Sequence, residues 1–199
     1  MEERDKRRVG EEIEPGGRPK APGRLELLQR FVNSHNHDFP PDWDRIGTAA
    51  KAGAWLRRKR LMAPGERVSD ADAARLRELR EAIRALVIAN RAGRPDGAAA
   101  EVVRGLSARA RLGVAIDDTG RTALEPTRGG VDGAVATLLG ILHEAQLTGE
   151  WQRVKACRQC EYVFFDRSKN RSAAWCAMSI CGNRTKNRAY YRRRRSPAR

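Results

Sequence analysis

Cys157-Arg158-Gln159-Cys160, fifteen further residues, and then Cys176-Ala177-Met178-Ser179-Ile180-Cys181-Gly182-Asn183-Arg184 decide how the C-terminal quarter of this chain folds. All four cysteines of the protein fall in this window. Two close pairs joined by a loop of this length let four thiolates converge tetrahedrally, which a d¹⁰ ion such as Zn²⁺ accepts without geometric penalty. One structural Zn²⁺ held by Cys157, Cys160, Cys176 and Cys181 is therefore the first expectation. An iron–sulfur cluster takes the same ligands, and spacing alone leaves that choice open. Paired disulfides suit a small secreted domain, whereas here the remaining sequence has no cysteine and the N-terminus has no apolar signal segment. A redox Cys-x-x-Cys stands beside a βαβ pattern, and none is visible.

The residues around the ligands suggest what the ion holds together. Val154 to Ala156 leads into the first pair as a short strand, and Tyr162 to Phe165 follows as its partner. A helix is expected from Ser172 to Ile180, with Trp175 and Met178 turned inward. A second, longer one follows from Asn183 to Arg195, where neither Gly nor Pro occurs. Knuckle, hairpin and helix describe a treble-clef-like finger. Its apolar cluster of Tyr162, Phe164, Phe165 and Trp175 is too small to fold without metal. Loss of one ligand is accordingly expected to unfold 153–195 and spare the rest.

Trp175-Cys176-Ala-Met-Ser-Ile-Cys181-Gly182-Asn183-Arg184, followed by Lys186, Arg188 and an aromatic-basic run, resembles the CGNR zinc finger of bacterial proteins. In that family the finger follows an N-terminal domain called ABATE. Two stretches resemble that domain: Phe31-Val32-Asn33-Ser34, which matches its apolar-Asn opening, and the Arg-Glu-Leu-Arg-Glu-Ala-Ile-Arg run of 77–84, which matches its central helix. The resemblance implies a stress-induced transcription regulator of bacterial origin.

Charge is distributed unevenly. Of 40 Lys and Arg against 25 Asp and Glu, residues 153–199 hold 14 against only Glu161 and Asp166, a balance of +12. Residues 1–152 hold the other 26 against 23, a balance of +3. Four thiolates on one Zn²⁺ subtract about two charges, so the finger stays cationic and a polyanion is its natural partner. No apolar run reaches the roughly 18 residues a membrane span requires. A soluble, cytoplasmic protein is expected, nucleoid-associated when bound to DNA.

Upstream, the expected class is mainly α with some β (α+β): a disordered tail over 1–22, a helical domain over 23–150 with one β-hairpin, the finger over 151–195, and a tail over 196–199. Glu2 to Arg8 is wholly charged, and Pro15, Gly16, Gly17, Pro19 and Pro22 follow, which prevents burial of enough apolar surface to offset chain entropy. A short helix is read from Gly23 to Val32. The polar loop after it contains His35, His37 and Asp38, more readily solvated or capping groups than an acid–base cluster. Thr48 caps a helix to Arg58, whose terminal Arg57-Arg58-Lys59-Arg60 complements the helix dipole. Ser69 caps a helix to Arg91, with Leu76, Leu79, Ile83, Leu86 and Val87 inward and solvated pairs Arg77–Glu81 and Glu81–Arg84 outward. A further helix over Asp96–Arg109 buries Val102, Val103 and Leu106. Val114 and Ile116 pair across Asp117-Asp118-Thr119-Gly120 with Thr122–Glu125, and Val131–Leu147 forms the last core helix. His143 lies beside its apolar stripe as a packing or surface residue. Glu150–Gln152 makes a short join, with Trp151 packing finger onto helices in a fixed or semi-fixed arrangement.

The helix after Cys181 is the expected reader of duplex DNA. Arg184, Arg188, Tyr191 and Arg195 share one stripe; Asn183, Asn187, Tyr190 and Arg194 lie beside it. Arg forks onto guanine and Asn onto adenine, while Lys186 and Arg192, Arg193, Arg194 and Arg195 suit phosphates. One of the two tyrosines is expected to pack on the zinc hairpin. RNA is the alternative partner, with Tyr190, Tyr191 or Phe165 stacking on splayed bases. The helical domain is then the candidate for homodimerisation or for sensing a small-molecule effector. No catalytic residue is assigned: the cysteines are committed to metal, and no phosphate-cradling Gly loop occurs.

Overall fold

The computed structural model describes residues 18, 20–36 and 40–195. In order these form α1 (Leu25–Val32), a 3₁₀ turn (Pro41–Trp43), α2 (Ala49–Arg58), α3 (Asp70–Ala92), α4 (Gly97–Ser107), β1 (Leu112–Ile116), β2 (Thr122–Pro126), α5 (Gly130–Leu147), a 3₁₀ turn (Glu150–Arg153), β3 (Val154–Ala156), β4 (Val163–Phe165), a π-type turn (Met178–Gly182) and α6 (Asn183–Arg195). Helix α3 is the axis, packing on α1, α2, α4 and β3, while α5 covers α1 and carries the β1–β2 hairpin. Among the described residues no helix is long and apolar enough to cross a membrane.

Local chemistry sets the helix limits. Thr48 accepts from the Lys51 amide at 3.3 Å. Ser69 and Asp72 form a reciprocal capping box, each accepting the other's backbone N–H at 3.1 Å. Gly93 ends α3 in the left-handed conformation, φ 64°. Helix α4 is covered less than its pattern predicts: Ala99 is buried, while Val102, Val103 and Leu106 are half-buried. Its three apolar side chains reach only the rim of the core.

The core does not stop at the join to the finger. Val154, Ala156, Val163 and Phe165 belong to the same buried cluster as Leu28, Phe31, Trp55, Ile83 and Leu138. Polar staples reinforce it. The Asn33 side chain both donates to Val163 O at 2.7 Å and accepts from Val163 N at 2.9 Å, pairing with β4 as a neighbouring strand would. Asn90 donates to Trp151 O at 2.7 Å and Val154 O at 3.2 Å. Trp151 packs against the same core, and the two parts are fixed to one another.

The basic run of α3 departs from expectation. Arg77 does not meet Glu81; it donates to Gly47 O at 2.6 Å. Glu81 does take Arg84 Nε, at 3.0 Å, as expected, and also takes Arg80 Nε at 2.7 Å. Both arginines are buried. Arg80 forks onto Asp44 at 2.7 and 2.9 Å. Arg84 reaches Val32 O at 2.6 Å, His35 O at 2.8 Å and Glu161 O at 3.2 Å. The loop after α1 has more backbone carbonyls than partners of its own, and a guanidinium satisfies several at once.

Within the stretch expected as a tail, Arg18 and Ala21 are buried. Residues 1–17 and 196–199, and His37 and Asp38, lie outside the described residues.

Candidate metal centre and nucleic-acid interface

The first ligand pair sits on a knuckle built by strand pairing. Strands β3 and β4 run antiparallel with Ala156 opposite Val163, and beyond that register the Cys157 amide donates to Tyr162 O at 3.0 Å. Glu161 closes the turn with its amide on Cys157 O at 3.0 Å and with φ 56°, a left-handed conformation that costs a non-glycine residue about 1 kcal/mol. The second pair arrives differently from expectation. No helix covers Ser172–Ile180; Ala177 is extended, and a π-type turn spans Met178–Gly182. In an α-helix residues five apart point about 140° from one another, so Cys176 and Cys181 could not face one ion. Leaving Cys176 ahead of a wider turn removes that conflict. Met178 consequently turns outward, half exposed, whereas Trp175 packs on the cysteine cluster.

Asp166 organises the connector between the pairs. It accepts Lys155 Nζ at 2.7 Å, the Ser168 amide at 2.9 Å and the Ala173 amide at 3.0 Å. Burial alone raises a carboxyl pKa, but these donors prevail and hold Asp166 down at about 2. One of two acids in a basic module, it carried a signal that periodicity did not weigh.

Together these elements bring all four cysteines into contact, buried, with every pair of Sγ atoms within 4.8 Å. Cys160, Cys176 and Cys181 lie 3.6, 3.7 and 3.8 Å apart. Tetrahedral geometry with Zn–S bonds of roughly 2.3 Å demands sulfur separations of about 3.8 Å, so the cage fits zinc. Its electrostatics ask for a cation. Hydrogen bonds with Cys160 and Cys176 push the Cys157 thiol down, and those with Cys157 and Cys176 push Cys160 up. Cys176 is raised to about 11, chiefly by its bond to Cys157, and Cys181 to about 12 by burial and then by Cys160. Four buried sulfurs cannot all ionise against one another; a divalent cation removes that restraint.

Arg18 completes the surroundings from the far end of the sequence. Its Nε donates to Cys176 Sγ at 3.1 Å, and its guanidinium lies 4.4 Å from the centre of the Tyr162 ring. Local pattern had no means of finding it.

Helix α6 leaves the cage directly. Thr185, half-buried, bonds to Cys181 O at 2.9 Å and to Gln159 of the knuckle at 3.4 Å, which fixes the first turn. Asn183, Arg184, Lys186, Asn187 and Arg188 are exposed. Tyr190 and Tyr191 are exposed as well, in an edge-on contact with centroids 5.6 Å apart. Neither is buried against the zinc hairpin, because the helix projects beyond it. The backbone of Arg192–Arg195 continues the helix. Beside the knuckle, Arg91 of α3 donates to Ala156 O at 3.5 Å; partial desolvation and then the nearby charge of Arg158 lower its pKa.

Fold and centre together define a two-part zinc-finger protein: a helical N-terminal domain fused to a four-cysteine finger that binds one structural Zn²⁺. The chain belongs to the ABATE family, whose model, described as "Putative stress-induced transcription regulator", matches residues 25–159. The CGNR zinc finger model matches residues 153–194. The two matches overlap across β3 and the knuckle, where the hairpin enters the helical core. No curated protein matches the chain.

Proposed function

We propose that this protein is a transcription regulator that binds duplex DNA through α6. The observation that carries the reading is a helix, Asn183–Arg195, that is free of acidic residues, exposes Asn183, Arg184, Lys186, Asn187 and Arg188, and is joined rigidly to the zinc cage through Thr185. At about 1.5 Å per residue its 13 residues reach about 20 Å, enough to lie in a major groove. Arg184 and Arg188, with Asn183 and Asn187 beside them, are the base-edge candidates. Lys186 and Arg192–Arg195 are the phosphate candidates, joined by Arg158 and Arg91, a pair of neighbouring cations that a phosphate would relieve. The helical domain is the input half, dimerising or sensing an effector. Self-contact is favoured by the β1–β2 hairpin, whose Val114 and Ile116 are 68% and 70% exposed.

Selection of bound fragments from a random duplex pool, with and without chelator, tests the proposal. Enrichment of a common sequence by the zinc-loaded protein, lost on chelation, is the expected result; no enrichment refutes it. The exposed Tyr190–Tyr191 pair favours RNA as the second reading, since such rings stack on unpaired bases. Competition between duplex DNA and structured RNA at matched salt separates the two.

A further inference from the structure

We propose that Arg18 is a working part of the metal centre: a positioning residue that donates to the Cys176 thiolate from outside the coordination sphere and sets how tightly the finger holds its ion. The inference rests on the zinc site and is independent of what α6 binds. Four thiolates around Zn²⁺ carry a net charge of about −2 in a buried setting, where an N–H donor that is itself cationic interacts strongly. Arg18 is such a donor. It is 8% exposed, 3.1 Å from Cys176 Sγ, and held over the Tyr162 ring, so its guanidinium is oriented before the ion arrives.

The strap that carries Arg18 is bolted at successive points. Arg167 of the finger donates to Lys20 O at 2.8 Å. The Ala21 amide donates to Gln29 Oε1 at 2.6 Å, and Gln29 Nε2 in turn donates to Val163 O at 3.2 Å. Ala21 itself is buried in the core shared by helices and hairpin. The metal centre thereby recruits a side chain 158 positions upstream of its ligand. Ion retention and docking of the N-terminal segment are two sides of one equilibrium, so whatever displaces the strap loosens the ion, and loss of the ion frees the strap.

The test uses the full chain with Arg18→Ala, Arg18→Lys and Arg18→Gln, each loaded with Zn²⁺ or with Co²⁺. Outer-shell partners of metal ligands typically contribute about 10- to 100-fold in affinity. Arg18→Ala should therefore give up zinc to a chromophoric chelator at a concentration lower by about that factor. Its cobalt form should show the thiolate-to-metal charge-transfer band at lower energy, because a thiolate without its donor is easier to oxidise. Arg18→Lys, which keeps charge and a donor, should recover part of both effects. A purely structural role would leave the cobalt band in place. Far-UV circular dichroism monitors the helices; should Arg18→Ala lose them, Arg18→Gln, which keeps most of the volume without the charge, is read the same way. Wild-type zinc retention together with an unshifted cobalt band overturns the proposal.

Discussion

Replacing Asp44 by Ala should destabilise the whole protein far more than a surface ion pair could. Arg80 and Asp44 are joined by two hydrogen bonds of 2.7 and 2.9 Å, with side chains 4% and 9% exposed. Unit charges centred roughly 4 Å apart attract by about 4 kcal/mol at an effective dielectric constant near 20. Removing the carboxylate leaves a buried guanidinium with Ser34 and Glu81 as remaining partners, and costs about 3–5 kcal/mol. In a chain of this size each kcal/mol moves the melting temperature by roughly 2–4 °C, so a fall of about 6–20 °C is expected. Thermal denaturation of the zinc-loaded chain, followed at 222 nm, measures it. The double variant Arg80→Met/Asp44→Ala should recover part of the loss, since no buried guanidinium is then left without the carboxylate it forks onto. The pH dependence has a defined sign. Burial tends to raise the Asp44 carboxyl, but the Arg80 bonds and then the Ile46 amide prevail and hold it below its ordinary value. Its folded pKa is thus depressed, so its contribution is complete above about pH 4 and disappears as the pH falls below that. The Asp44→Ala variant should lose this part of the acid sensitivity. A loss under about 1 kcal/mol, or a double variant worse than the single one, would refute the reasoning.

Cys160→Ser should reduce zinc from one ion per chain to none, and an unchanged zinc content counts against the ligand assignment. Hydrogen exchange in that variant should rise across 176–195 while the Val163 amide, held by Asn33, stays protected. Two glycines should respond to Ala by different amounts. At Gly133 the new Cβ would lie 2.1 Å from the Arg128 carbonyl oxygen, a backbone collision that should cost about 3 kcal/mol in urea unfolding. At Gly182 it would meet the end of the Met178 side chain at 2.6 Å, which can swing away into solvent, so the cost should stay under about 1 kcal/mol with zinc retained. Arg184→Ala and Arg188→Ala should each weaken duplex binding by about 1–3 kcal/mol if they read bases, or lower the salt slope by about 1 if they hold phosphates. Fluorescence anisotropy across a salt series distinguishes these, and unchanged affinity in both removes α6 from the interface.

Whatever depended on spacing was readable in the sequence. The cysteine pairs, the Ser69 cap, the periodicity of α3 and the hairpin at 112–126 each announce themselves within a few residues. Contacts that span the chain were not readable. Arg80 and Arg84 sit in a run of alternating charge indistinguishable from a solvated helix face, and only the loop after α1 and the knuckle carbonyl at Glu161 reveal why they are inside. The helix expected over Ser172–Ile180 failed for a related reason. Its composition permits a helix, but the positions of Cys176 and Cys181 are dictated by a metal ion that composition does not see.

The same contacts change what loss of metal should do. A finger that folded as a separate bead would unfold from residue 153 onward when its zinc is removed. Here Val154, Ala156, Val163 and Phe165 are core residues of the helical domain, and Asn33, Arg84 and Asn90 bond to the hairpin backbone. The hairpin therefore has a hydrophobic reason to persist without the ion. What depends most on zinc is the portion beyond the polar ties of Asp166: the second cysteine pair, the π-type turn and the base of α6. Chelation is thus expected to release the basic helix while the helical domain keeps its fold, making metal occupancy a control on the exposed cationic surface rather than on the stability of the whole chain.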